Sequence, residues 1–297
     1  MALSFGGVAD MPFAAKVVSR ISAQIKIYQG ILAQAMKKDS SEGDTVVIVT
    51  DMISNILGYD KYGDLSNEHA IRGTYVDLMV SADNKPRFLV EVKPVGTELK
   101  DSYIKQAVDY AANKGVDWVV LTNGIVWRVY KVVFAKPIDK VLVCELNALT
   151  ANPKSPEAIE CFGNLSLEAF SKDQLSDWFH EKQITSKFAI AALVLSDEIL
   201  DSLRLQIRRM SQVRIDTDEL RSLLSDEVIK RELIDGEEAK SASQFLKKLQ
   251  RRLRAKRNGL DDRDDDSDVS GQPPQSPEGD ITPSSAAAPL SDGKPAT

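Results

Sequence analysis

The sequence predicts an α/β domain up to about residue 150, then an all-helical region, then a tail that does not fold. Three observations predict it. Five short apolar runs lie between Thr74 and Glu145, broken by turn residues and by one helical segment. Beyond Ala151 the apolar spacing becomes helical. From Asn258 onward nine acids face only Arg263 and Lys294, a net of −7, among prolines, serines and alanines. Such a segment cannot bury enough apolar area to offset its ordering entropy, so it is expected to be disordered. The expected units are 1–43, an N-terminal helix; 44–150, the α/β domain; 151–257, the helical region; and 258–297, the tail.

In chain order, Val17, Val18, Ile21, Ile25, Ile27, Ile31 and Leu32 predict an amphipathic helix from Ala14 to about Lys38. A polar loop, Asp39 to Asp44, leads to a helix over Thr45 to Leu57 that Gly58 stops. Strands are expected over Thr74–Val80, Phe88–Lys93, Trp118–Thr122, Ile125–Val133 and Val141–Glu145. Between the second and third lies a helix, Asp101 to Lys114, with Asp101 as N-cap and Gly115 at its end. Asn123-Gly124 between two apolar runs signals a hairpin. Four later helices follow: Leu165–Phe179, Lys187–Met210, Asp218–Leu233 and Glu237–Arg257. Trp118, Trp127 and Trp178 read as core, and Phe188–Leu195 as a buried helix or a dimer seam.

Composition excludes several classes. No run of eighteen apolar residues exists, so no membrane-spanning helix is expected. The first twenty residues carry Asp10, Lys16 and Arg20 and lack the apolar stretch of a secretory signal. Two cysteines, Cys144 and Cys161, give no disulfide framework, which points to a reducing cytoplasm. His69 and His180 are the only histidines, which excludes zinc sites of the usual Cys/His spacing. Outside the tail the charges nearly cancel, at +1, so the low overall pI does not argue against a polyanionic partner.

The chemistry concentrates in Tyr75–Val80 and Phe88–Lys93. Strand alternation puts Glu91 and Lys93 on one face and Val90 and Val92 on the other. A hairpin closing symmetrically at Asn84 sets Asp77 opposite Glu91. Facing carboxylates repel unless a cation sits between them, and a hard divalent ion such as Mg²⁺, with Mn²⁺ as a substitute, takes oxygen ligands in that geometry. Lys93 on the same face can orient a water for attack on a phosphate. A Glu-x-Lys pair on an amphipathic strand also arises as a plain solvent-facing ion pair. The joint occurrence of facing acids, apolar flanks and a following helix points to chemistry instead.

The order helix, strand hairpin, helix, strand resembles that of the PD-(D/E)xK nucleases, with Asp77 and Glu91-Val92-Lys93 where that motif's acids and lysine stand. More closely, the chain resembles the N-terminal nuclease domain of type I restriction enzyme R subunits and their stand-alone relatives. The shared phrases are Leu57-Gly58-Tyr59, Glu68, Val76-Asp77-Leu78, Val90 to Pro94, Gln106 to Tyr110, and Leu121-Thr122-Asn123-Gly124 leading to Trp127. They cover about residues 44–135, and Val76 stands where the motif has proline. The resemblance implies a central mixed sheet flanked by helices and Mg²⁺-dependent cleavage of DNA, endonucleolytic and serving restriction or defence. It implies metal binding by Asp77, Glu91 and the Val92 carbonyl, helped by Glu68, with Lys93 positioning the water. Gln106 and Tyr110 would contact the substrate backbone or brace the site, although Tyr110 also reads as core. Asp44 falls near an acid the family carries on the preceding helix.

Outside that stretch, Lys247, Lys248, Arg251 and Arg252, continuing to Arg254, Lys256 and Arg257, form a basic cluster suited to DNA phosphates. Leu246, Leu249 and Leu253 beside them read equally as a packed helix. The acidic run from Asp261 could mask the cluster when no polyanion is bound. The chain has no G-x-x-x-x-G-K-[S/T], so no nucleotide-driven motor is expected within it. Two readings other than an active nuclease are a nucleic-acid-binding module without turnover and a subunit that pairs, with itself or a partner, through the helical region.

Overall fold

The computed structural model describes residues 13–71, 74–134, 137–170 and 174–257; the side chains of 67–71, 74, 75, 256 and 257 are not among those described. The acidic tail lies outside the described residues. Helix α1 (Ala15–Lys37) is followed by α2 (Glu42–Met52), which a π turn extends through Leu57. Gly58 ends it at φ +91, and a Cβ there would meet the Arg20 guanidinium at 3.0 Å. That guanidinium donates to the Ile56 and Leu57 carbonyls and pairs with Glu168 at 2.6 Å. It thereby satisfies two carbonyls that a helix end leaves without partners.

Six strands form one mixed sheet in the order β1 (Leu65–Ile71), β2 (Thr74–Ala82), β3 (Lys85–Val92), β4 (Trp118–Thr122), β5 (Val126–Val133), β6 (Asp139–Asn147). Every neighbouring pair is antiparallel except β3 and β4, which are parallel and joined through α3 (Ile104–Lys114). A parallel pair needs such a crossover. The five expected strands are present. β1 was not expected, because Leu-Ser-Asn-Glu-His-Ala-Ile has little apolar alternation and becomes a strand by pairing with β2.

The two faces of the sheet are covered differently. On one, Leu78, Val80, Phe88, Val90, Val92, Val120, Trp127 and Val129 pack with α1, α2 and α4 (Pro156–Leu165). On the other, Val76, Leu89, Val119, Leu121, Tyr130 and Val132 meet α3. Trp127, fully buried, lies edge-on to Phe162 at 5.3 Å and donates its Nε1–H to the Gly124 carbonyl. All three tryptophans are core, at 4% exposure or less. Asn123-Gly124 turns β4 into β5: the Asn123 side chain accepts from the Ile125 and Val126 N–H groups, and Gly124 sits at φ +81 against Leu32.

The remaining helices are α5 (Leu167–Phe170), α6 (Gln174–Ile184), α7 (Lys187–Val194), α8 (Asp197–Ser211), α9 (Thr217–Leu223) and α10 (Glu237–Arg257). Several expected boundaries move. α4 begins before the expected helix, capped by Ser155 with Pro156 in its first turn, a start signal that the sequence carries openly. Ser166 separates α4 from α5, and Ser196 splits the expected Lys187–Met210 helix in two. α3 starts at Ile104, and Asp101 is not its cap but the partner of Lys140 at 3.1 Å. α2 starts three residues early, because Ser41 and Asp44 form a capping box. α7 buries Ala189 and Ala191 while Ile190 stays 47% exposed. No described helix is long and apolar enough to cross a membrane.

Candidate functional site

The β2–β3 hairpin turns at Asp83-Asn84, both with positive φ near 55°, as a two-residue turn between twisted strands requires. A bulge at Val80/Ser81 shifts the ladder by one residue. Beyond it the pairs are Val80 with Phe88, Met79 with Leu89 and Leu78 with Val90, the register that aims Asp77 at Glu91.

Among the described residues the ladder stops there. Val76 and Leu78 would share a face on a regular strand, yet they belong to different cores, so β2 twists away from β3 between them. The Lys93 N–H donates to the Thr122 carbonyl of β4, so by strand alternation the N–H and C=O of Val92 point toward the departing β2. The Asp77 carboxylate takes that Val92 N–H at 2.6 Å, in place of the ladder acceptor that β2 no longer supplies. Asp77 and the Val92 carbonyl thus lie on the same side of β3.

Glu91 and Lys93 follow on the α3 face, as alternation predicts. The Lys93 Nζ lies 2.8 Å from Glu91 Oε1, 3.6 Å from Glu42 Oε2 and 5.8 Å from the centroid of the Tyr103 ring. Only 11% of the Glu91 side chain and 18% of the Lys93 side chain reach solvent, so the pair is largely desolvated. Burial pushes the Glu91 carboxyl above its usual value, the fields of Asp77 and Glu42 add to the rise, and Lys93 opposes it. For Lys93, burial acts downward, but the bond to Glu91 and the fields of Glu42 and Asp77 outweigh it, so its ammonium is held above its usual value.

Glu42 is the acid that the sequence reading missed. Asp44, the residue considered there, is occupied by the cap: its Oδ2 accepts from the Ser41 N–H and hydroxyl. That cap starts the helix at Glu42 and turns its carboxylate toward Lys93. The pattern Ser41-x-x-Asp44 was the available signal. Tyr103 was also missed, and no local signal marks it. It is brought to Lys93 by the connection between β3 and α3, which is pinned from the far strands: Asn123 donates to the Thr97 carbonyl and Arg128 to the Leu99 carbonyl, each at 2.8 Å.

The other expected residues whose side chains are described fall outside this cluster. Tyr110 is 1% exposed in the α3 core, where it braces the helix against the sheet and cannot touch a substrate as it stands. Gln106, one turn earlier, is exposed. Glu68 is on β1, and its side chain lies outside the described residues. Lys247, Lys248, Arg251 and Arg252 are exposed on α10. A groove of about 500 Å³ is lined by Leu193, Leu246 and the ion pairs Arg221–Asp197 and Arg254–Glu198; no hairpin residue borders it.

The hairpin, its parted strands and the buried Glu91–Lys93 pair lie inside one recognisable stretch. Residues 37–142 match the type I restriction enzyme R protein N terminus (HSDR_N). The match covers α2, the whole sheet to within β6, and every hairpin residue, and is consistent with a nuclease-like domain related to that N terminus. No curated protein and no solved structure matches the chain.

Proposed function

We propose that the chain is a metal-dependent nuclease of the PD-(D/E)xK kind, hydrolysing DNA phosphodiester bonds in the cytoplasm. We read it as a restriction or defence endonuclease. One observation carries the reading. At the point where β2 leaves β3, Asp77, the Val92 carbonyl, Glu91 and Lys93 are gathered at one strand end, inside the matched stretch.

The donor set suits a hard cation, being made only of oxygens. Three carboxylates, Asp77, Glu91 and Glu42, act on one lysine, so a divalent ion would relieve a repulsion that Lys93 offsets only in part. Among the described residues no three Asp, Glu, His or Cys side chains enclose an ion position as they stand, because Glu91 is turned to Lys93 and Asp77 to Val92. Binding Mg²⁺ or Mn²⁺ therefore requires Glu91 to exchange Lys93 for the ion. Asp77, Glu91 and the Val92 carbonyl would hold it. When bound, the ion supplies Lewis-acid stabilisation of charge on phosphate oxygens and a lower pKa for attacking water. Lys93 would position the attacking water or hold a phosphate oxygen. Glu42 keeps the ammonium at the site once Glu91 turns away. Gln106 and the basic residues of α10, Lys247, Lys248, Arg251 and Arg252, are proposed to contact the DNA backbone.

A second reading, a nucleic-acid-binding module without turnover, is favoured by the self-neutralised Glu91–Lys93 pair. Incubation with circular and linear duplex DNA, single-stranded DNA and RNA, with Mg²⁺ or Mn²⁺, separates the two. Metal-dependent nicking is expected from the wild type, lowered at least ~10²-fold in Lys93→Ala and Asp77→Ala. Binding without cutting would establish the module, and cutting that survives both substitutions would refute the site.

A further inference from the structure

The chain has two cysteines, Cys144 and Cys161, and both are free thiols. They stand on consecutive elements, β6 and α4, which pack against each other. Regular alternation would turn Val143 and Cys144 to opposite faces of the sheet. The ladder slips between Val129 and Tyr130, however: Cys144 pairs with Val129 and Leu142 with Tyr130, so Val143 is the extra residue of a bulge. Both Val143 and Cys144 therefore pack on the core beneath α4, in which Cys161 is buried with Ile159, Phe162 and Leu165. There the Cys161 thiol hydrogen-bonds to the Cys144 thiol, and that bond, with burial, pushes it well above its ordinary pKa.

The two thiols differ in access. Cys144 is half-buried on an edge strand of the sheet, whereas Cys161 is fully buried. The connection between them is held in place. The Asn147 side chain accepts from the Leu149 and Thr150 N–H groups, and Gln29 of α1 donates to the Ala148 and Ala151 carbonyls. The sulfurs therefore stay neighbours in the folded chain. A small apolar residue would fill either place as well as cysteine does. Packing alone does not require that a thiol open to solvent touch one that is closed to it.

We propose that Cys144 and Cys161 form a redox modification site, in which a hydroperoxide oxidises Cys144 and Cys161 resolves it to a reversible disulfide tying β6 to α4. The Cys144 sulfur, having lost its proton, attacks one peroxide oxygen. The O–O bond breaks, and the leaving hydroxide takes up that proton as water, so that Cys144 becomes a sulfenic acid. The Cys161 sulfur then attacks the Cys144 sulfur. The S–O bond breaks, and the hydroxide leaves as water with the Cys161 proton. Two thiols are oxidised to a disulfide while hydrogen peroxide is reduced to water. Access sets the order, because solvent reaches Cys144 and not Cys161. A dithiol reverses the change by exchange.

The inference does not depend on nuclease activity, and its test is a mass measurement on the full, folded chain. The chain is treated with hydrogen peroxide, alkylated in denaturant and weighed. A monomer lighter by about two mass units, the loss of two hydrogens, is expected, with neither cysteine alkylated. Digestion should release one linked pair of peptides holding Cys144 and Cys161, and dithiothreitol should restore both alkylation sites. In Cys161→Ser the oxidised Cys144 has no resolving thiol, so dimedone should trap it as the sulfenic acid. In Cys144→Ser the buried Cys161 should oxidise at least ~10-fold more slowly than Cys144 does in Cys161→Ser. A thermal melt like that of the wild type shows that a variant is folded, and Cys161→Ala serves where serine is not tolerated. Two thiols that still alkylate after peroxide overturn the proposal. So does a disulfide that joins two chains through Cys144, or one that forms only in denaturant. Oxidation of Cys161 in Cys144→Ser as fast as that of Cys144 overturns the assigned order.

Discussion

β3 carries two chemistries on alternate residues. Phe88, Val90 and Val92 point into the core built with α1, α2 and α4, and all are fully buried. Leu89 begins the opposite face in the same manner, but Glu91 and Lys93 finish it as a desolvated ion pair. The difference comes from what covers each face. On the first, helices reach to the end of the strand. On the second, α3 begins only at Ile104, after the connection that follows Lys93, so the end of β3 meets the edge of a helix layer and not its middle. Charges can be half-buried there and still reach a ligand. A site of this kind belongs where a ladder opens and a cover ends.

That contrast can be tested from its larger consequences to its smaller ones. Removing the central anchor of the covered face, Trp127→Ala, should cost ~3–5 kcal/mol, because a fully buried ring in contact with Phe162 leaves a cavity. Urea denaturation measures it, and a loss under ~1 kcal/mol would mean that this face is not the stabilising one. At the open end, Ser41→Ala should cost about 1 kcal/mol through loss of the α2 cap. It should also release Glu42 and lower metal-dependent cleavage. A stability loss without any change in rate would remove Glu42 from the site.

The subtlest consequence is in pH. The Glu91 carboxyl is raised above the ordinary 4.5, so above that value the native state holds a proton that the unfolded chain has lost. Stability should therefore fall as pH rises through the window between 4.5 and the raised value, the reverse of an ordinary salt-bridged carboxylate. Lys93 stays protonated across this range, so losing its partner in Glu91→Gln gives only a constant offset. Thermal melts from pH 4 to 7 should show the wild type losing ground to Glu91→Gln as pH rises. Parallel curves would mean that Glu91 titrates normally.

Much of this was legible in the residues alone, because it depends on neighbours in the chain. Gly58 and Gly115 stop helices by taking left-handed conformations, Asn123-Gly124 makes its turn with its own side chain, and the alternation along Phe88–Lys93 separates core from chemistry. The register near Asp77 was legible from periodicity, which keeps Leu78, Val80, Phe88 and Val90 inside. The hairpin, however, closes on Asp83-Asn84 and not symmetrically about Asn84, and the bulge at Val80/Ser81, which no local signal marks, supplies the one-residue shift. The rest depended on segments far apart in sequence. Polar Leu65–Ile71 is a strand only because β2 offers it an edge. Glu42 and Tyr103 reach Lys93 from positions 51 residues before it and ten after, brought there by α2 and by a connection pinned to β4 and β5. The apolar stripe of α8 starts at buried Leu200, but tertiary structure leaves its outer residues Leu203 and Met210 in solvent. Periodicity states which side of an element seeks cover; only the packing of distant segments decides whether cover arrives.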